Sequence, residues 1–130
     1  MIIDSSALLA IFFEEPEADL FESVIAANRC RMSVANALES TIVVGRRIGS
    51  GATNELDFYL DRSDIELVAI SLDQFYSAQR AWHRFGKGNH AAKLNFGDCF
   101  AYALAEVMGE PLLFKGLDFA QTDITAAVSI

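Results

Sequence analysis

Short continuous apolar runs alternate along this chain with segments whose apolar residues recur every three to four positions, and that alternation restricts the fold more than any other feature. Ile2 and Ile3 form the first run, which ends at Asp4. Ser5 or Ser6 then caps a helix carrying Leu8, Leu9, Phe12 and Phe13. Pro16 marks the entrance of a second helix, whose face of Leu20, Phe21, Val24 and Ile25 extends to Ala27. Cys30 to Ser33 reads as a short strand, and Ser33 or Asn36 opens a helix through Leu38, Glu39, Ile42 and Val43 that stops near Gly49-Ser50-Gly51.

The alternation continues with a helix from about Asn54 to Leu60 and a strand from Ile65 to Ile70 with its end buried. Asp73 opens the next helix, whose stripe is Phe75, Ala78, Trp82 and Phe85 and whose stop is Gly86. A helix from Asp98 to Val107 is apolar nearly all round, as a buried central helix is, and Gly109 with Pro111 ends it. Leu112 to Phe114 is a further buried strand and Ala126 to Ile130 a last one. Strands separated by helices pair in parallel through crossovers, so the fold class is α/β: a three-layer sandwich, a central parallel sheet flanked by helices. Ligands of such sheets bind beyond the carboxyl ends of the strands, and Asp4 stands at one of those ends.

A chain of 130 residues, 52% of them apolar, has the size of one packed core, so residues 1–130 are expected to form a single domain. The apolar run from Ser5 to Phe13 follows Asp4, precedes Glu14 and Glu15 and has no basic flank, which argues against a signal peptide; it is also too short to span a bilayer. Cys30 and Cys99 lie in apolar patterns and read as buried thiols, which places the protein in the cytoplasm and away from membranes.

A net charge of -8 excludes a generic nucleic-acid binder, because phosphate affinity comes from lysine and arginine. The charge is uneven, however. Gln74 to Gly97 holds no acid but contains Arg80, Arg84, Lys87 and Lys93, with His83 and His90.

Four acids stand out. Asp4 ends the first strand; Glu39 has Ala35, Ile42 and Val43 as helical neighbours, so its carboxylate projects near an apolar face. Asp98 lies in the first turn of the most apolar helix, and Asp118 follows Leu112 to Phe114 on the carboxyl-end side of the sheet. Each has an ordinary alternative: a turn for Asp4, a cap for Asp98, a solvated loop for Asp118, and for Glu39 an ion pair with Arg46 or Arg47. Gathered at one sheet edge, they would repel unless a cation neutralised them. Oxygen donors select magnesium, with manganese as substitute, over zinc, and no histidine or cysteine pair has zinc-site spacing.

Met1-Ile2-Ile3-Asp4-Ser5-Ser6-Ala7-Leu8, Asn36-Ala37-Leu38-Glu39, Leu94-Asn95-Phe96-Gly97-Asp98-Cys99-Phe100-Ala101-Tyr102-Ala103 and Leu112-Leu113-Phe114-Lys115-Gly116-Leu117-Asp118-Phe119 together resemble the PIN domain, specifically the VapC-type ribonuclease toxins. The resemblance spans the chain. It implies a PIN-like parallel sheet flanked by helices, metal-dependent cleavage of structured or single-stranded RNA, a homodimer, and a cognate VapB-type antitoxin that blocks the site. Family roles carry over to Asp4, Glu39 and Asp98 as metal-site acids, with Ser6 as a nearby hydroxyl. Asp118 is taken as the fourth acid, although many relatives carry theirs two positions earlier, where this chain has Gly116; Asp123 is a remoter substitute.

The expected chemistry is magnesium-assisted in-line hydrolysis of a phosphodiester. Asp4 and Asp98 bind the metal, Glu39 binds it or holds the attacking water, and Arg84, Lys87 and Lys93 steer the RNA backbone. The apolar surplus of Phe12, Phe13, Leu20 and Phe21 offers a groove for the antitoxin or a second copy. Two rival readings are a magnesium-binding receiver domain, with Lys115 as its lysine, and a PIN fold retained only for binding. The receiver lacks its second acid next to Asp4, and the binding-only reading sits poorly with three core acids present.

Overall fold

The computed structural model describes residues 1–128. Four strands, β1 (Ile2–Ile3), β2 (Arg31–Ser33), β3 (Glu66–Val68) and β4 (Leu112–Leu113), form one sheet in the order β3-β2-β1-β4, with every pairing parallel. Six helices flank it: α1 (Ser5–Phe12), α2 (Ala18–Ala26), α3 (Val34–Arg47), α4 (Ala52–Arg62), α5 (Leu72–Phe85) and α6 (Phe96–Met108). A 3-10 turn, Phe119–Gln121, follows β4.

Strand alternation sorts the core into two layers. Ile3, Met32 and Leu113 pack with Leu8 and Ile11 of α1, Phe21 and Ile25 of α2, and Leu56 and Leu60 of α4. Ile2 and Leu112 pack on the other face with Ala81 and Phe85 of α5 and with Ala101, Tyr102 and Ala105 of α6. The three-layer parallel arrangement is the one expected. β1 lies between β2 and β4, so the winding reverses beside it, and the crevice beyond its carboxyl end is where ligands bind in such sheets.

Local chemistry sets the helix starts. Asp4 caps α1 by accepting from Ser6 N–H, Ser33 caps α3 by accepting from Ala35 N–H, and Ser71, two residues ahead of the expected Asp73, caps α5 by accepting from Gln74 N–H. Asn95 and Asp98 form a reciprocal capping box, which starts α6 at Phe96. Gly109, in the left-handed region at φ 65°, ends that helix.

Three expectations are corrected. The α5 stripe turns toward small residues: Gln74, Ser77, Ala78, Ala81 and Phe85 are buried, while Phe75 and Trp82 are exposed. Small side chains let α5 approach α6 closely, and Ser77 bonds Glu106 across the gap at 2.7 Å. β3 is shorter than Ile65 to Ile70 and forms a sheet edge, leaving Leu67 and Ile70 exposed. Ala126 makes only a single parallel bridge to Leu112 in place of a fifth strand, and Ser129 and Ile130 of that expected strand lie outside the described residues.

Both cysteines are buried and free, and burial pushes the Cys99 thiol up to about 11. Among the described residues no helix is long and apolar enough to cross a membrane.

Candidate active site

β1 ends at Asp4, whose backbone N–H donates to Leu113 O at 2.9 Å and so fixes the side chain at the junction of β1 and β4. One carboxylate oxygen, Oδ2, accepts from Ser6 N–H at 2.9 Å and from the Ser6 hydroxyl at 2.5 Å. The Ser6 Oγ itself accepts from Lys115 N–H at 2.9 Å, which ties α1 to the chain leaving β4. The other oxygen of Asp4, Oδ1, is buried without a hydrogen-bond partner, on a residue only 2% exposed.

Burial pushes the Asp4 carboxyl up to about 7; the Ser6 bonds oppose the shift, and the charges of Asp98 and Glu39 add to it. Asp98 is pushed up to about 6, again chiefly by burial, against its bond from Asn95 N–H and with the charges of Asp118 and Glu39 adding. Asp4, Glu39 and Asp98, from three elements, thus lie within electrostatic reach of one another.

Glu39 reaches the site from α3. It meets neither Arg46 nor Arg47; Arg47 lies over the Phe13 ring, 4.0 Å from its centroid. Glu39 Oε1 accepts from the Ser5 hydroxyl at 2.5 Å and from the Asn36 amide at 3.5 Å. The same Asn36 amide donates to Gly97 O at 3.0 Å, joining α3 to α6. Gly97 lets Glu39 approach closely: a Cβ there would stand 2.4 Å from Glu39 Oε2 and displace that carboxylate.

Ser5, Asn36 and Gly97 were not singled out as site residues from the sequence. Asn36 precedes Glu39 by three positions on a helix, a spacing that puts the two side chains on one face and could have signalled the contact.

Asp118 is exposed and makes no cap bond to the 3-10 turn that follows it, but its charge acts on Asp98. Asp123 is placed differently: it accepts from the Tyr102 hydroxyl at 2.6 Å and pairs with Arg84 at 3.3 Å. Arg84 is therefore engaged, and it also lies over the Phe85 ring. Lys87 and Lys93 are exposed and form no ion pair with any described residue. Lys115, the residue a receiver domain would require, pairs with Glu15 at 3.1 Å and Glu17 at 3.4 Å.

No three histidine, cysteine or acidic side chains among the described residues stand close enough together to enclose one metal ion. The donor set nonetheless suits a small hard cation. Magnesium keeps several waters and takes one or two carboxylates, so a closed cage is not required. An unpartnered buried oxygen on Asp4, with the Asp4 and Asp98 carboxyls both held up chiefly by burial, is the state that such a cation would relieve.

The PIN-domain family model matches residues 1–124. Ribonuclease VapC of Mycolicibacterium smegmatis is 50% identical over 127 residues, covering 97% of this chain and 98% of that protein. Ribonuclease VapC30 of Mycobacterium tuberculosis is 48% identical, covering 95% of each. Among solved structures, VapC20 of Mycobacterium tuberculosis, a Sarcin-Ricin loop cleaving toxin, superposes with a TM-score of 0.78 at 14% identity over 95% of each chain. A toxin-antitoxin complex from Klebsiella pneumoniae gives 0.70 at 16% identity, covering 99% of this chain and 98% of that one. The fold and the family model define a PIN-domain protein, and the full-length relatives make this chain a member of the VapC ribonucleases, hydrolases acting on RNA.

Proposed function

We propose that this protein is the toxin of a type II toxin-antitoxin pair, a magnesium-dependent endoribonuclease whose site is built from Asp4, Glu39 and Asp98, with Asp118 as the fourth acid. The observation that carries the metal reading is Asp4 Oδ1, a carboxylate oxygen buried without a partner on a side chain whose pKa burial raises. When bound, magnesium supplies Lewis acidity at the scissile phosphodiester; manganese can replace it. Asp4 and Asp98 would hold the ion. Glu39 shares it or takes the proton of the attacking water, and Ser5 and Asn36 fix the orientation of that carboxylate. Ser6 holds Asp4 in place, and Lys87 and Lys93 meet the RNA backbone.

An acidic site is most simply silenced by a basic side chain, since an arginine can bridge two carboxylates. A VapB-type antitoxin should therefore present an arginine or lysine near its carboxyl end to Asp4, Glu39 and Asp98. Of the four apolar residues expected to offer a groove, Phe21 belongs to the core, Leu20 is exposed, Phe13 is half-buried under Arg47, and Phe12 lines a groove of ~410 Å³ with Phe58 and Tyr59. That groove is a fitting seat for an apolar antitoxin segment. Single-domain organisation over residues 1–130, a homodimer and a cytoplasmic location complete the proposal.

The test is metal reconstitution. Chelated protein should cut RNA only after magnesium or manganese is returned, and zinc should not substitute. Undiminished cleavage in excess chelator, with contaminating nuclease excluded, would refute the metal mechanism.

A further inference from the structure

Beside Asp98 the surface changes character. Phe96, the first residue of α6, is 80% exposed, although it stands two positions before Asp98 and directly before the glycine that abuts Glu39. Its ring meets Phe100 edge-on with centroids 4.9 Å apart. Together with Phe75, Trp82 and Lys87 these rings line a groove of ~460 Å³ between α5 and α6. A phenylalanine this exposed adds little to the core, and a cluster of such rings marks a binding surface.

The charge around the groove has a definite sign. Seven of the groove's nine lining residues fall in the acid-free stretch from Gln74 to Gly97 of a chain whose net charge is -8, and the other two, Cys99 and Phe100, follow Asp98. Of the four cations in that stretch, Arg80 is held by Glu106 and Arg84 by Asp123. Lys87, which lines the groove, and Lys93, two residues before Asn95 of its wall, have no ion pair among the described residues. Aromatic faces beside uncommitted lysines suit a polyanion that also carries flat rings. A two-fold contact with a second copy through this face would bring two sets of these lysines into one interface with no acid from the stretch Gln74 to Gly97 to pair them.

We propose that this groove is a stacking platform for unpaired bases of single-stranded RNA next to the scissile phosphate, with Phe96 as its principal face and Lys87 and Lys93 on the backbone. The proposal rests on the ribonuclease reading of the adjoining acids. It assigns Phe96 to substrate binding through stacking, which tolerates any base and sets where an unpaired strand lies relative to Asp98.

Trp82 is the single tryptophan of the chain and lines the groove, so its emission reports on occupancy. The experiment titrates Asp4→Asn protein with an oligouridylate of about ten nucleotides in magnesium, and repeats the titration in chelator. The expected result is saturable quenching whose Kd weakens steeply with salt. Phe96→Ala should weaken that Kd about tenfold and Phe96→Tyr should restore it. Replacing both Lys87 and Lys93 by glutamine should lower the salt slope by roughly one to two.

Equal affinity of Phe96→Ala and its parent would overturn the platform. So would Trp82 emission that follows protein concentration and ignores RNA, because the groove would then be an interface between copies. Cleavage of the oligonucleotide by Asp4→Asn would instead count against the assignment of the acids, and the titration in chelator would still decide the platform.

Discussion

The two ends of the sheet treat the same side chains in opposite ways. At the carboxyl end, Asp4 and Asp98 are pushed up to about 7 and about 6, and neither forms an ion pair with a described residue. At the other end, Glu110, just before β4, is held below the usual range by the amino group of Met1 and then by Arg31. Glu106 is also lowered: burial alone would raise it, but bonds from Ser77, Arg80 and Tyr102 outweigh that. Asp123 is lowered first by the Tyr102 hydroxyl and then by Arg84. The chain neutralises Glu106, Glu110 and Asp123 with its own donors and cations and leaves Asp4 and Asp98, the proposed site acids, without an ion pair, so charge partnering separates the two groups where residue type cannot.

Exchanging charge for an isosteric amide tests that separation most severely. Asp4→Asn and Asp98→Asn should each lower RNA cleavage at least ~100-fold in a fluorogenic RNA assay, because each removes a charged oxygen donor without changing side-chain size. Glu110→Gln should leave the rate within about twofold, since that acid serves only the fold. Equal losses at the two ends would erase the distinction.

The opposite shifts also predict opposite limbs in a plot of stability against pH. An unfolded aspartate titrates near ~3.9, so between about pH 4 and pH 7 folded Asp4, and to about pH 6 folded Asp98, bind protons that the unfolded chain does not. Metal-free protein should therefore lose stability as pH rises through that window, by on the order of a few kcal/mol. Glu106, Glu110 and Asp123 contribute the reverse: their stabilisation is present above the unfolded carboxylate range and is lost as pH falls through their lowered values. Urea unfolding of chelated protein should show the falling upper limb, and either magnesium or Asp4→Asn should flatten it. A limb unchanged by Asp4→Asn would mean that Asp4 is not its source.

Much of this was legible in the sequence because it rests on periodicity and on local caps. Four of the five short runs read as strands form the sheet, and their alternation with helices makes it parallel with Asp4 at a carboxyl end. The α5 stripe was misread for a physical reason: apolarity favours Phe75 and Trp82, but the approach of α6 selects for small volume, and volume complementarity is a property of two helices that no single-helix pattern contains. The sequence favours Asp118 as the fourth acid, with Asp123 the remoter substitute. The partner of Asp123, the Tyr102 hydroxyl on α6, is a tertiary contact that spacing does not contain, while the charge of Asp118 acts on Asp98.

Gly97 offers a smaller perturbation that acts on the site alone. A methyl there meets the far end of the Glu39 side chain, which can swing aside at little cost to packing but then loses its bonds to Ser5 and Asn36. Gly97→Ala should lower cleavage about tenfold while the melting temperature changes by no more than ~2 °C. The loss should fall on kcat, because the acid is misplaced and the RNA surface is intact. A melting temperature that drops together with activity would show that Gly97 supports the fold instead.

The smallest effect lies at the end of the sheet that neutralises itself. Glu110 is about four-fifths buried and is held by two cations, the Met1 amino group and Arg31, while Arg31 also reaches Glu66 at 3.4 Å. Glu110→Gln keeps the shape and some hydrogen bonding but withdraws the charge, leaving Arg31 with its more exposed partner. The expected cost is about 1 kcal/mol, or roughly 3–5 °C in Tm for a chain of this size. Because Glu110 is held low, the difference between Glu110→Gln and its parent should be full near neutral pH and should vanish as the acid of the parent protonates below about pH 4. The two melting curves, followed from pH 7 to pH 3, should converge. If they instead stayed parallel, the loss would come from shape or hydrogen bonding, and the charge of Glu110 would not be what ties β1 and β2 to the start of β4.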